Sequence, residues 1–110
     1  MTPGGRLRAE RDAAADLLAV QLRDLAGMVQ ASEASNADDE HDPEGATIGF
    51  ERAQLSATIE LTRRRIADLD RAIEQVAGGT YGRCETCGEE IGAERLAARP
   101  SARTCIRCAT

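Results

Sequence analysis

The 110-residue sequence predicts an all-α fold, an antiparallel two-helix coiled-coil hairpin followed by a small C-terminal four-cysteine module. Three observations predict it. Two long segments repeat apolar residues at spacings of three and four. A polar, acidic stretch separates them. All four cysteines fall between Cys84 and Cys108. The composition suits helices, because Ala, Arg, Glu and Leu lose little on entering one. The aromatic residues are Phe50 and Tyr81, with no Trp. So thin a core usually needs a staple such as a metal.

The first helix is expected from about Leu7 to about Ala34. Leu18, Leu22, Leu25 and Val29 recur at spacings of 4, 3 and 4 and are placed on one stripe. Gly27 weakens this helix slightly. Residues 35–42 (SNADDEHD) form a polar break rich in turn formers. The second helix is expected to open with Asp42 as N-cap, Pro43 at its first position and Glu44 in its first turn. It continues to about Ala77 through Ile48, Leu55, Ile59, Ile66, Leu69, Ile73 and Val76. With Arg52 and Thr62 as interruptions, these positions form a heptad stripe. Gly78 and Gly79 end it. At about 1.5 Å per residue such a helix is roughly 50 Å long. Both stripes need a partner, and a short connection favours folding back as a monomeric hairpin. The expected division is a hairpin over residues 1–79, with its tip loop at 35–46, and a four-cysteine module over 80–110.

Charge is unevenly placed. Residues 31–45 carry six carboxylates and no cation, within a chain of net charge -5. All the basic charge is Arg. An acidic chain lacks the cationic stripe a DNA reader needs, so sequence-specific DNA binding is not expected. The acidic segment points instead to a basic or metal-containing partner site. The polar start MTPGGRLRAE carries no secretory leader, and no run approaches the ~18 apolar residues of a membrane span. The expectation is a cytoplasmic protein without membrane contact, whose thiols stay reduced.

Cys84-x2-Cys87 and Cys105-x2-Cys108 are separated by 17 residues. Each pair suits a tight knuckle, with Gly88 giving the first its turn, and four thiolates close a tetrahedron with no open site for water. One structural Zn2+ is the expected cofactor. Two disulfides, in any of three connectivities, four unrelated thiols, or a redox-active CxxC are the alternatives. Arg83 and Arg107 beside the knuckles can offset the thiolate charge.

The run from Cys84-Glu85-Thr86-Cys87 through Ile91, Arg95 and Pro100 to Cys105-x2-Cys108, approached by Thr80-Tyr81-Gly82-Arg83, resembles the DksA/TraR family of C4 zinc-finger transcription regulators. The segment IGAERLAARP and the heptad arm before it are similar too. The resemblance implies binding to RNA polymerase through its secondary channel, with an acidic coiled-coil tip reaching toward the active centre and modulating initiation. The tip positions that the family fills with two Asp three apart, then Ala two further on, fall here at His41, Glu44 and Ala46. Asp42 stands beside them and could substitute for the first Asp. Arg95 and Arg99 are the candidates for polymerase or ppGpp contact. Two other positions where the family is basic fall at Asp68 and Ala109, so ppGpp binding of the family kind is not expected. Nor is the family's helix after the second knuckle, since two residues follow Cys108.

Outside the resemblance, Arg63-Arg64-Arg65 is read as a solvated helix face with partners such as Glu60 for Arg64. Arg95 and Arg99 could form one surface or pair with Glu94 and Glu89. No nucleophile–base pair, phosphate loop or open metal site suggests an enzyme. The alternative to a polymerase-binding regulator is a zinc-stabilised coiled-coil interaction module, monomeric or dimeric, with no polymerase role.

Overall fold

The computed structural model describes residues 2–36 and 43–109. Three helices follow in order: α1 (Pro3–Asn36), α2 (Pro43–Gly78) and the short α3 (Ala93–Ala98). Two long helices run antiparallel and a four-cysteine module follows them, with no strand among the described residues. No described helix is long and apolar enough to cross a membrane. The chain forms two compact units, one of Met1–Ala13 with Arg65–Thr110 and one of Ala14–Arg64.

α1 begins four residues before the expected start, and its opening explains why. Thr2 caps it, its Oγ1 accepting from the Gly5 N–H at 3.0 Å, and Pro3 takes the first helical position. The helix tolerates Gly4 because that residue is buried in a packed position, where an added Cβ would lie 3.5 Å from Val76 Cγ1. At its other end α1 reaches Asn36, two residues into the expected break. The Asp42 cap lies outside the described residues. α2 begins at Pro43 and closes on a Schellman motif. Gly79 takes φ 77, its N–H donates to Val76 O at 3.3 Å, and Thr80 N–H donates to Gln75 O at 2.9 Å.

The first unit shows the antiparallel pairing directly. The start of α1 lies against the end of α2, with Gly4 beside Val76, Arg11 paired to Asp70, and Glu10 paired to Arg65 at 3.5 Å. Leu7 and Leu69 are fully buried and Ala72 nearly so. Each Leu contributes roughly 1.5–3 kcal/mol by leaving water. The Asp70 carboxylate accepts from Arg11 Nε, which raises the guanidinium pKa further. Arg63, Arg64 and Arg65 are all exposed, as expected of a solvated face, and Arg65 also reaches Glu10 on α1.

In the second unit Ala14, Gln21, Ile59 and Thr62 are buried. The stripe expected on α2 is the one observed: every member from Ile48 to Val76 is buried or half-buried, including the interruptions Arg52 and Thr62. Thr62 satisfies its hydroxyl on Thr58 O at 3.1 Å. Of the stripe expected on α1, Leu18, Leu25 and Val29 are half-buried, and one member needs correction: Leu22 is exposed, and the buried position is its neighbour Gln21. The seam runs through Leu7, Ala14, Gln21 and Met28, each seven apart, with Leu18 and Leu25 between them. Leu17, Leu18, Val20, Leu22 and Leu25 spread apolar surface around the helix, so several stripes compete. The phase that continues from buried Leu7 and Ala14 prevails.

Candidate metal centre

The module after α2 consists of two knuckles with α3 between them. In the first, Arg83 and Glu90 form an antiparallel bridge. The Cys84 N–H donates to Glu89 O at 2.8 Å, and the Gly88 N–H returns to Cys84 O at 2.9 Å. Gly88 adopts φ 78, the left-handed turn that glycine reaches without strain. In the second knuckle the N–H groups of Cys108 and Ala109 both donate to Cys105 O. Each knuckle thus turns its two sulfurs to one side. The Glu85 N–H donates to Arg103 O at 2.9 Å and joins the two knuckles through their backbones.

All four sulfur atoms lie within 4.8 Å of one another. Cys87 Sγ and Cys105 Sγ are 3.8 Å apart. A tetrahedral zinc site with bonds of about 2.3 Å requires sulfurs roughly 3.8 Å apart, so the cluster fits that ion. Cys84 and Cys105 are buried with Ile91, and Leu96, Ala102 and Cys108 pack against them. Tyr81 donates its hydroxyl to Pro100 O at 2.8 Å, linking the approach of the first knuckle to that of the second.

In the folded knuckles, backbone amides and neighbouring sulfurs set the four thiols apart. The Cys84 pKa is lowered to about 6, mainly by the N–H of Cys87 and then that of Cys105. Cys105 is lowered chiefly by the N–H of Cys108. Cys87 meets the Glu89 N–H, which favours its thiolate, but the Cys84 sulfur, burial and Cys105 outweigh this and raise it. Cys108 is pushed up to about 12, first by Cys105 and then by Cys84 and Cys87. Negative charge crowded onto one small volume calls for a cation.

The remaining candidate residues fall in different places. Arg95 and Arg99 line one cavity of about 540 Å³ together with Ile91, Ala98 and the exposed Ile106. Arg95 spends its Nε on Thr104 O at 2.8 Å rather than on a carboxylate. Asp68 accepts from Arg103, which is 35 residues away in sequence, so no local spacing marks the pair. Glu44 and Ala46 belong to the first turns of α2, whereas His41 and Asp42 lie outside the described residues. Helix α3 lies between the knuckles, where the sequence analysis places no helix. Its signals were the helix formers of Ala93-Glu94-Arg95-Leu96-Ala97-Ala98 and the Pro100 that follows.

Comparison with known proteins agrees with this geometry. The profile of the prokaryotic dksA/traR C4-type zinc finger matches residues 79–110. General stress protein 16O of Bacillus subtilis is 35% identical over 77 residues, covering 70% of this chain and 47% of that protein. RNA polymerase-binding transcription factor DksA of Escherichia coli is 44% identical over 48 residues, covering 44% of this chain and 32% of that protein. The chain thus matches less than half the length of either curated relative. The solved structure of transcription factor DksA2 from Pseudomonas aeruginosa superposes with a TM-score of 0.55 at 29% identity, over 90% of this chain and 79% of that one. The zinc-finger match and the clustered sulfurs together make one structural Zn2+ the cofactor of this chain.

Proposed function

The chain belongs to the DksA/TraR family of C4 zinc-finger proteins, and on that premise we propose that it is a cytoplasmic transcription regulator that binds RNA polymerase. The observation that carries the proposal is the helical hairpin joined to a four-cysteine module, which aligns with a solved transcription factor over 90% of this chain. In this reading Cys84, Cys87, Cys105 and Cys108 hold zinc. The hairpin enters the secondary channel, and the acidic segment with His41, Asp42, Glu44 and Ala46 faces the active centre. Six carboxylates within residues 31–45 suit a cation-rich channel and its metal. Binding is to the enzyme rather than to DNA, consistent with the net charge of -5. The polymerase-contact surface includes Arg95 and Arg99. Binding of ppGpp is not part of the reading, because Asp68 and Ala109 bring no cation and Asp68 is already paired with Arg103.

Capture of purified core polymerase by the zinc-loaded protein at low salt tests the proposal, and absence of binding ends it. Reversing the charges of Asp42 and Glu44 is expected to leave affinity within a few-fold while abolishing any effect on initiation. Equal loss of both would make the tip a docking site instead.

A second reading, an interaction module without a polymerase role, draws on one observation. Leu17, Val20 and Leu61, all in the Ala14–Arg64 unit, are 51%, 44% and 62% exposed. Light scattering that shows a dimer would favour it.

A further inference from the structure

The four-cysteine module touches α2 through two ion pairs that run in opposite senses. Glu85, next to the first ligand, accepts from Arg71 of α2, and Gln75 Nε2 approaches the same carboxylate at 3.4 Å. Arg103, two residues before Cys105, donates to Asp68 of α2. The module residues themselves are joined by the Glu85 N–H to Arg103 O bond. On α2 the three partners Asp68, Arg71 and Gln75 are spaced three and four apart, so they share one face. All of them lie in one compact unit.

We propose that Glu85 and Arg103 are a two-point clamp that zinc closes, and that this clamp holds the module in one register on α2. The alternation of sign gives the register. Sliding the module one turn toward the end of α2 brings Arg103 to Arg71 and leaves Glu85 with Gln75. Sliding it the other way brings Glu85 to Asp68. Either shift replaces an attraction with a like-charge contact. A third point comes from α1, where Arg6 Nη2 donates to Ala97 O in α3 at 2.7 Å.

Each pair is exposed enough to be weak alone. Zinc changes that, because it joins Cys84 to Cys105 and so presents Glu85 and Arg103 together. Without the metal, the 17 residues between Cys87 and Cys105 leave the two charges free to separate. Docking and metal retention are then linked, and whatever weakens the clamp hastens zinc loss.

The test is the rate of zinc transfer from the loaded full chain to a chromophoric chelator. Asp68→Arg and Arg103→Asp are each expected to accelerate transfer about two- to five-fold. The double exchange Asp68→Arg/Arg103→Asp is expected to restore the rate to within about two-fold of the starting protein. A direct field on the thiolates predicts something else: added positive charge in Asp68→Arg would slow release, while Arg103→Asp would hasten it. That split overturns the clamp, as does an exchange that fails to rescue. Arg107→Asp places the same charge change beside the second knuckle, away from the residues that pair with α2. If it accelerates release as much as Arg103→Asp, the clamp is also overturned. Should the reversals fail to fold, Asp68→Asn and Arg103→Gln serve instead. Their double variant is expected to release zinc no faster than the faster single one, and multiplying rates would refute the clamp.

Discussion

The hydroxyl of Tyr81 donates to the carbonyl oxygen of Pro100 at 2.8 Å, across 19 residues of sequence. Tyr81 follows the Schellman turn that ends α2, and Pro100 is buried just before the second knuckle. The bond therefore ties the exit of the helix to the far half of the metal module. Tyr81→Phe is expected to cost about 1 kcal/mol, the usual net worth of such a bond, measured by chemical denaturation of the zinc-loaded protein.

The same residue makes a prediction about alkaline pH. Burial is the main cause that raises the Tyr81 pKa above 10.0. A raised phenol pKa means the folded state holds its proton more tightly, so its stabilisation is complete below pH 10 and is lost as the pH rises through the folded value. Tyr81 is the sole tyrosine and there is no Trp, so phenolate absorbance reports this group alone. A titration midpoint above 10 in the zinc-loaded protein that falls toward 10 on unfolding is the expected result.

Gln21 occupies a buried seam position, and its Oε1 has no hydrogen-bond partner. Gln21→Leu removes an unsatisfied acceptor and adds apolar burial, so stabilisation by about 1–3 kcal/mol is expected in urea unfolding. A polar seam residue also pins register. If Gln21 does so here, the Leu variant gains stability but populates more than one oligomeric species in light scattering.

Two glycines respond in opposite directions. Gly4 is helical and has ordinary van der Waals room toward Val76, so Gly4→Ala is expected to stabilise by about 0.5–1 kcal/mol. Gly79 holds φ 77 at the end of α2, and Gly79→Ala is expected to destabilise by about 1–2 kcal/mol. Thermal unfolding of the two variants side by side checks the contrast.

Zinc displaces the thiol protons, so its affinity is expected to fall as the pH falls, most of all through Cys87 and Cys108, whose pKa values are raised, measured by competition titration at several pH values. For Cys84 the depressed value means its contribution to the folded knuckle is complete above pH 9 and is lost as the pH falls through about 6. Chelation is expected to remove amide protection after Gly79 while much of the helical signal survives.

Much of this protein follows from its sequence alone. The heptad stripe of α2, its opening at Pro43 and its end at Gly79 are local matters of side-chain period and backbone freedom. The convergence of Cys84, Cys87, Cys105 and Cys108 needs only two knuckles and one ion, because the spacing within each pair already aims both sulfurs. The start of α1 was equally local, in the Thr2–Pro3 cap, but Gly4 and Gly5 obscured it.

Tertiary structure decided the rest. Whether Gln21 or Leu22 enters the seam depends on the surface α2 offers, since α1 carries apolar residues on more than one face and its period does not choose among them. The partners of Arg103, Arg95 and Arg65 were likewise undetermined. Asp68, the Thr104 carbonyl and Glu10 are brought to them only after the chain has turned back on itself, and a long guanidinium side chain finds its acceptor by proximity rather than by any spacing along the chain.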